Sequence, residues 1–292
     1  LVVLDGLLGP RDAATSLAGT WPWTHWRGVA AVGMLVAGNL ACLGCPLIAP
    51  RTLLRRWITP RRRWPARLRS KWLAASLVVL WLVAYESLAW WDSPPLTAGL
   101  VVGLVAAATV IDLMFEGAAF CQWLCPIGQW NMAMSVAAPT QVAVRDPSVC
   151  ERCETQDCLR GGPAGPGCGT SLFLPRKHGA LDCTACMDCV TACPHHNAGV
   201  LLKTPFAELQ SEASRSGIGA WVRRPDLCAL LLALEAGGIA NAALMTEPLT
   251  RWIGAWTPSG PRTVLVGIVT IAAMLAVVTP VLLAARVGAW LR

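Results

Sequence analysis

The chain has 292 residues, of which 55% are hydrophobic and only 14% charged, with a net charge of +7. Soluble domains carry about a quarter charged residues, so this depletion excludes an ordinary water-soluble globule and places much of the chain in lipid. Fifteen Trp against one Tyr and four Phe fit the aromatic belts of membrane interfaces, and thirteen Cys, all but Cys228 in spaced groups, argue for metal rather than disulfides.

Residues 1–27 form a Gly-, Pro- and Ala-containing lead-in that ends in Trp21, Trp23 and Trp26, read as an interfacial belt. The first apolar span is expected at roughly 28–48, and near its end stands Cys42-Leu-Gly-Cys45-Pro46. Residues 50–71 follow with nine Lys/Arg and no acid, more than the whole net charge. Such a short basic loop stays cytoplasmic, and it can also meet anionic lipid or an acidic partner. Nothing else supports a nucleic-acid groove, so nucleic acid is not an expected partner. Further spans are expected at roughly 72–91, 96–120, 227–246 and 263–285, with an outer loop at 247–262. The span at 96–120 leads to Cys121-Gln-Trp-Leu-Cys125-Pro126, and the apolar stretch 127–139 is too short to cross and reads as an interfacial helix. Residues 141–226 balance nine Lys/Arg with nine Asp/Glu and read as a soluble insert. The expected organisation is therefore membrane helices with the Arg-rich loop over 1–140, a cytoplasmic insert over 141–226, and two further membrane helices over 227–292.

The insert carries the chain's most specific signal, Cys183-Thr-Ala-Cys186-Met-Asp-Cys189-Val-Thr-Ala-Cys193-Pro194. This C-x2-C-x2-C-x3-C-P run is that of a bacterial-type [4Fe–4S] site, whereas zinc normally takes two C-x2-C pairs set well apart. Upstream lies a looser run, Cys150, Cys153, Cys158 and Cys168, its last gap widened by Gly161–Gly167. In two-cluster ferredoxins the fourth Cys of each run serves the other cluster. Applied here, Cys150, Cys153, Cys158 and Cys193 hold one cluster, and Cys168, Cys183, Cys186 and Cys189 the other. A zinc site in the looser half is the competing reading.

The two Cys-Pro motifs repeat one device. Cys42/Cys45 and Cys121/Cys125 are spaced i,i+3 and i,i+4, so each pair is expected on one helix face, with Pro ending the helix after it. Their four thiols suffice for a third cluster at the membrane edge, and the alternative is small apolar residues packing helix ends. The four His are His25, His178, His195 and His196, none inside an expected span, and C-x-x-C-H is absent, so no haem is expected.

Paired Cys-Pro motifs followed by a ferredoxin-type insert resemble the NapH/NosR-type membrane polyferredoxins. FCQWLCPIGQW resembles their C-x3-C-P signature and DCTACMDCVTACPHHN their cluster run, over roughly residues 28–200. The resemblance implies membrane electron transfer, often linking quinone or cytoplasmic donors to a partner oxidoreductase. The chain departs in its C-x2-C-P first motif, its stretched first run and two helices after the insert.

The fold expected is a mainly α integral-membrane bundle of about five helices with an inserted two-cluster ferredoxin-like α+β domain, in the inner membrane with the insert facing the cytoplasm. The expected function is an electron-transfer subunit of an oxidoreductase complex rather than a stand-alone enzyme, with two [4Fe–4S] clusters, an optional third, membrane lipid and a partner redox protein. Glu86, Asp112, Glu116, Glu235 and Asn241 lie in or near spans. Ionisable groups there are costly and face partners or cavities, so a quinol-oxidising subunit with Glu235 or Asp112 handling protons is one competitor. A metal-maturation or redox-sensing accessory is the other.

Overall fold

The computed structural model describes residues 1–177, 179–209, 217–256 and 262–290. His178 and Arg215 lie outside them. The chain is 62% helical with one small two-stranded sheet. In chain order the helices are α1 (Val2–Leu8), α2 (Leu17–Thr20), α3 (Trp26–Ala37), α4 (Ile48–Leu54), α5 (Trp72–Ser87), α6 (Pro94–Met114), α7 (Ala119–Trp123) and α8 (Pro126–Met134). Strand β1 (Thr140–Val144) precedes α9 (Pro147–Glu151), α10 (Asp157–Arg160) and α11 (Asp188–Thr191), and β2 (Ala198–Leu202) follows. The chain closes with α12 (Pro225–Leu244), α13 (Glu247–Trp256) and α14 (Arg262–Trp290).

Three of these are long and apolar enough to cross a membrane: Pro94–Met114, Pro225–Leu244 and Thr263–Gly288 within α14. Helix α5 is apolar but has only 16 residues. The span expected at 28–48 is not one helix. Helix α3 stops at Ala37 because Gly38 takes φ +58°, a single 3-10 turn runs from Gly38 to Cys42, and the chain then turns through Cys45 and Pro46. The outer loop expected at 247–262 is also different, since residues 247–256 form α13.

Two compact units result. The first comprises Leu1–Thr20, Ser70–Ala98 and Gly219–Arg292, and its core is α5 packed with α12 and α14. Small residues make this close packing: Ala236 and Ala240 are fully buried and Met274 nearly so, against Val79 and Leu82. Where apolar burial gives no advantage, polar pairs join the helices. The Asn241 amide donates to the Glu86 carboxylate, and the Lys71 N–H donates to Asp226 at 2.7 Å, tying the starts of α5 and α12 together. Cys228 is buried here, as its lack of a spaced partner suggests. Glu235, by contrast, is exposed.

The second unit comprises Trp21–Arg69 and Gly99–Ile218, and it contains the other twelve cysteines. Its sheet pairs β1 antiparallel to β2 from Thr140↔Leu202 to Val144↔Ala198. The pairing brings together the two ends of the Cys150–Cys193 segment, so that segment is a closed loop rather than a tail. Val142 and Ala198 from the strands bury against Leu174, Ala185 and Cys189, giving the loop its small core.

Candidate metal centre

The twelve cysteines of the second unit divide by spacing into three expected sets of four. In the first, Cys150 rides on α9, whose start is capped by Asp146 accepting from the Ser148 N–H at 2.8 Å, with Pro147 at the first helical position. Cys158 rides on α10, entered through Gln156 at φ +52°. Cys150, Cys153, Cys158 and Cys193 line one pocket, together with Phe173 and Asn197. The charges of Cys193, Cys150 and Cys153 act on Cys158 and, after burial, push its thiol up. Cys193 therefore stands with the upstream run.

Asn197 had no part in the expectations, yet it holds this cavity. Its amide donates to the Asp146 carbonyl at 2.7 Å and to the Cys150 sulfur at 3.3 Å, while its carbonyl accepts from the Asp146 N–H at 3.0 Å. An Asn197→Ala change should leave these buried groups unsatisfied, costing about 1–3 kcal/mol. Anaerobic melting with iron analysis should show a lowered Tm and loss of iron.

In the second group, Cys189 lies in the helical turn α11, buried in the small core of the loop with Cys183 packed beside it. The loop between them is sharply coiled: Asp182, Ala185 and Met187 all have positive φ, at 61°, 49° and 65°. Non-glycine residues in this region are held only where the surroundings over-determine them, which is typical of ligand-binding sites. Cys168 joins from the other run, its N–H donating to the Cys158 carbonyl at 3.0 Å and its sulfur accepting from the Leu172 N–H at 3.3 Å.

Burial first, then the neighbouring sulfurs, pushes Cys189 from 9.0 up to about 12, and burial pushes Cys186 up to about 11. Both are thiols at neutral pH, and they ionise only where a metal replaces the proton. Two opposite pH slopes follow. The stability that these thiols lend the metal-free chain is fully present below pH 9.0 and lost as pH rises towards about 12, because the unfolded thiols ionise first. Metal loading instead weakens as pH falls. Melting of the chelator-treated protein and iron uptake, each followed across pH, should show the two slopes.

The third group is Cys42, Cys45, Cys121 and Cys125. Cys121 and Cys125 do not share a helix face as the i,i+4 spacing suggests. Cys121 lies in α7, whereas Cys125 is extended and caps α8, its sulfur accepting from the Gly128 N–H at 3.2 Å. A cap turns the side chain towards the helix start, and the thiols still meet: Cys125 feels Cys45 and Cys42, and Cys121 feels Cys125 and Cys45. Asn131 donates to the Cys42 sulfur at 3.1 Å from α8. The short apolar helix expected at 127–139 thus supplies both a capped thiol and a sulfur-bonding amide.

The second and third groups are fastened to each other on both sides. Asn39 donates to the carbonyls of Ala180 and Cys183 at 2.8 and 2.6 Å, and the Ala118 N–H donates to the Gly169 carbonyl at 2.7 Å. One Cys-Pro segment therefore grips the Cys183 loop and the other the Cys168 loop. The first and second groups are joined through the chain itself, since Cys189 and Cys193 lie four residues apart.

Among the described residues no three His, Cys, Asp or Glu side chains converge on a single ion. A cubane would give each sulfur its own iron and so spread four thiols apart, and in each expected set an N–H already lies against one sulfur. Comparison with protein-family models, with characterised proteins and with solved structures found no match.

Proposed function

We propose that this chain is a membrane-integral iron–sulfur subunit that relays electrons between a soluble-side partner and the membrane edge. The observation that supports this reading is that Asn39 and Ala118 fasten the two Cys-Pro segments to the Cys183 and Cys168 loops, while Cys150, Cys153, Cys158 and Cys193 line one pocket. When bound, [4Fe–4S] clusters supply one-electron storage without bonds to substrate being made or broken. The protein's own part is to hold and tune them. Twelve cysteines provide the ligands: Cys150, Cys153, Cys158 and Cys193; Cys168, Cys183, Cys186 and Cys189; Cys42, Cys45, Cys121 and Cys125. N–H donors from Asn197, Leu172, Gly128 and Asn131 lie against sulfur, where they stabilise added negative charge and raise the potential. The closed segment between β1 and β2 is read as a two-cluster ferredoxin-like insert.

Three helices of spanning length support a multi-pass inner-membrane protein. The loop after α4 exposes Arg56, Arg61, Arg62, Arg63, Arg67 and Arg69, which supports a cytoplasmic side for it and for the insert. Glu235 favours a second reading. An exposed carboxylate midway along an apolar helix is costly in lipid and calls for a proton-handling or quinone role, or a partner subunit. Asp112 is less suited to that role, because its carboxylate is engaged by Arg51 and by the Phe120 N–H.

Iron analysis and EPR on anaerobically purified protein test the principal reading. About twelve irons per chain are expected, falling to about eight in a Cys42→Ser, Cys121→Ser double variant. Iron unchanged by that double variant would remove the third site, and zinc in place of iron would end the reading. Quinol-driven reduction that disappears in Glu235→Gln would favour the second one.

A further inference from the structure

The Arg-rich loop after α4 is fixed in place, and what fixes it is the end of α6, the spanning helix of the same unit. The Glu116 N–H donates to the Arg62 carbonyl at 2.8 Å, the Trp64 ring packs edge-on against Phe115 at 5.0 Å, and Arg63 meets Glu116 at 3.4 Å. Phe115 and Glu116 are the first residues beyond α6. Arg55 strengthens the join from the end of α4, donating to the carbonyls of Asp112 at 3.0 Å, Phe115 at 3.0 Å and Gly117 at 2.6 Å. The first of these is a carbonyl that a helix end leaves without its usual donor. Within the loop the Trp64 indole N–H donates to the Leu68 carbonyl and Arg69 donates to the Trp64 carbonyl, both at 3.1 Å.

The arginines divide by what they do. Arg51 is buried against Asp112 at 2.7 Å, while Arg55, Arg63 and Arg69 hold the loop. Arg56, Arg61, Arg62 and Arg67 are exposed, and their guanidinium groups have no partner among the described residues. The stretch 50–71 contains no acid, and Glu116, the exposed carboxylate at its anchor, is already met by Arg63. Exposed apolar side chains stand among the free cations: Trp57, at 73% exposure, with Ile58 and Leu68. Such a surface calls for anions and for an apolar phase at once. A soluble acidic partner would match the cations alone. The end of a spanning helix lies at the depth of lipid headgroups, where both are present. Guanidinium matches phosphate geometry, and Trp favours the headgroup level.

We propose that this loop is a binding platform for anionic phospholipid headgroups, with Arg56, Arg61, Arg62 and Arg67 contacting the phosphate. Juxtamembrane basic clusters recognise anionic lipid in this way. Because Arg55, Arg63 and Trp64 already hold the loop, the free arginines are presented without the ordering cost that a flexible tail would bear on binding. The anchor at 115–117 leads within four residues to Cys121, so bound lipid steadies the chain that enters the second Cys-Pro motif. This inference rests on the membrane reading above and is independent of the iron–sulfur one.

The test titrates the full-length protein, in neutral detergent, with phosphatidylglycerol, phosphatidylcholine and inorganic phosphate, reading Tm and the lipid retained in native mass spectrometry. Phosphatidylglycerol should stay bound and raise Tm, less so in high salt, and the other two should not. Arg61→Gln with Arg62→Gln should weaken its retention by about fivefold for each arginine removed, while the rest of the run still directs insertion. Adding Arg56→Gln and Arg67→Gln should abolish the preference, and if that quadruple variant fails to insert, the double variant decides. Equal retention of the two lipids, an unchanged preference in the double variant, or a Tm shift reproduced by inorganic phosphate would each overturn the proposal. So would a polyglutamate peptide that displaces phosphatidylglycerol, which would mark the loop as the seat of an acidic protein. A chain that resists alkaline carbonate extraction from membranes yet shows no lipid preference defeats this inference alone. A chain that carbonate strips from membranes defeats the membrane reading with it.

Discussion

Asp112→Ala should be among the most damaging single changes in the chain. It removes the partner of a buried guanidinium and the acceptor of the Phe120 N–H in one step. Breaking a buried pair from one side costs about 3–5 kcal/mol, because the remaining charge has lost its solvent and its counter-charge together. The loss falls on the segment that carries Cys121, so iron from the third thiol group should go first. Asp112→Asn keeps an oxygen for the Phe120 N–H and should cost less. Anaerobic thermal melts in detergent, read with iron content, check the order wild type, Asn, Ala. A variant as stable as wild type would mean that Arg51 finds solvent.

Ligand spacing is a local constraint: a cluster would demand sulfurs a fixed few residues apart, so chain position alone suffices to propose the cysteine sets. Even Cys193 could be placed with the upstream run, since the rule that exchanges fourth ligands needs only the order of the motifs. What surrounds the sulfurs was not readable. Asn39 bonds to carbonyls 141 and 144 positions away, and nothing near Asn39 encodes them. Asn131 and Asn197 are alike in this respect, each an ordinary amide until its partner is known. Their only advance signal is chemical, a polar amide in an apolar stretch or just beyond a Cys-Pro end. Arg51 was concealed by its company, one cation among nine, and burial alone separates it from the exposed ones.

The membrane helices show the converse error. Hydropathy sums apolar character over a window and is blind to a backbone break, so residues 28–48 resembled a span although Gly38 ends the helix at Ala37. The break is useful to the site. A continuous helix would carry Cys42 and Cys45 along a straight face, whereas the 3-10 turn and the loop after it free the Asn39 amide for the Cys183 loop. The same holds at Cys125, where capping α8 rather than extending α7 turns the sulfur onto the Gly128 N–H. Local spacing reported which residues belong together, and backbone irregularity decides how they meet.

Gly117→Ala should disconnect the second thiol group from the third without touching a cysteine. Gly117 has φ +76°, and a Cβ placed there would stand 2.1 Å from the Gly169 carbonyl oxygen. That oxygen is the acceptor of the Ala118 N–H, the bond that fastens the Cys168 loop to the second Cys-Pro segment. The left-handed backbone alone costs a non-glycine residue about 1–2 kcal/mol. The clash adds to this because its partner is backbone and cannot rotate away. Relief requires the Cys168 loop to withdraw, and a withdrawn loop takes Cys168 from Cys183, Cys186 and Cys189. The expected result is a chain that still inserts, retains iron at the Cys150 group, and loses the second group's signal with a fall in Tm. Asn39→Ala, which loosens the other fastening but introduces no clash, should show the milder form: the second group's iron is retained and leaves faster under chelator. If Gly117→Ala instead keeps all its iron and chelation rates match wild type, the two groups are held by something other than these backbone contacts, and the continuous arrangement on which the electron-relay reading depends would have to be abandoned.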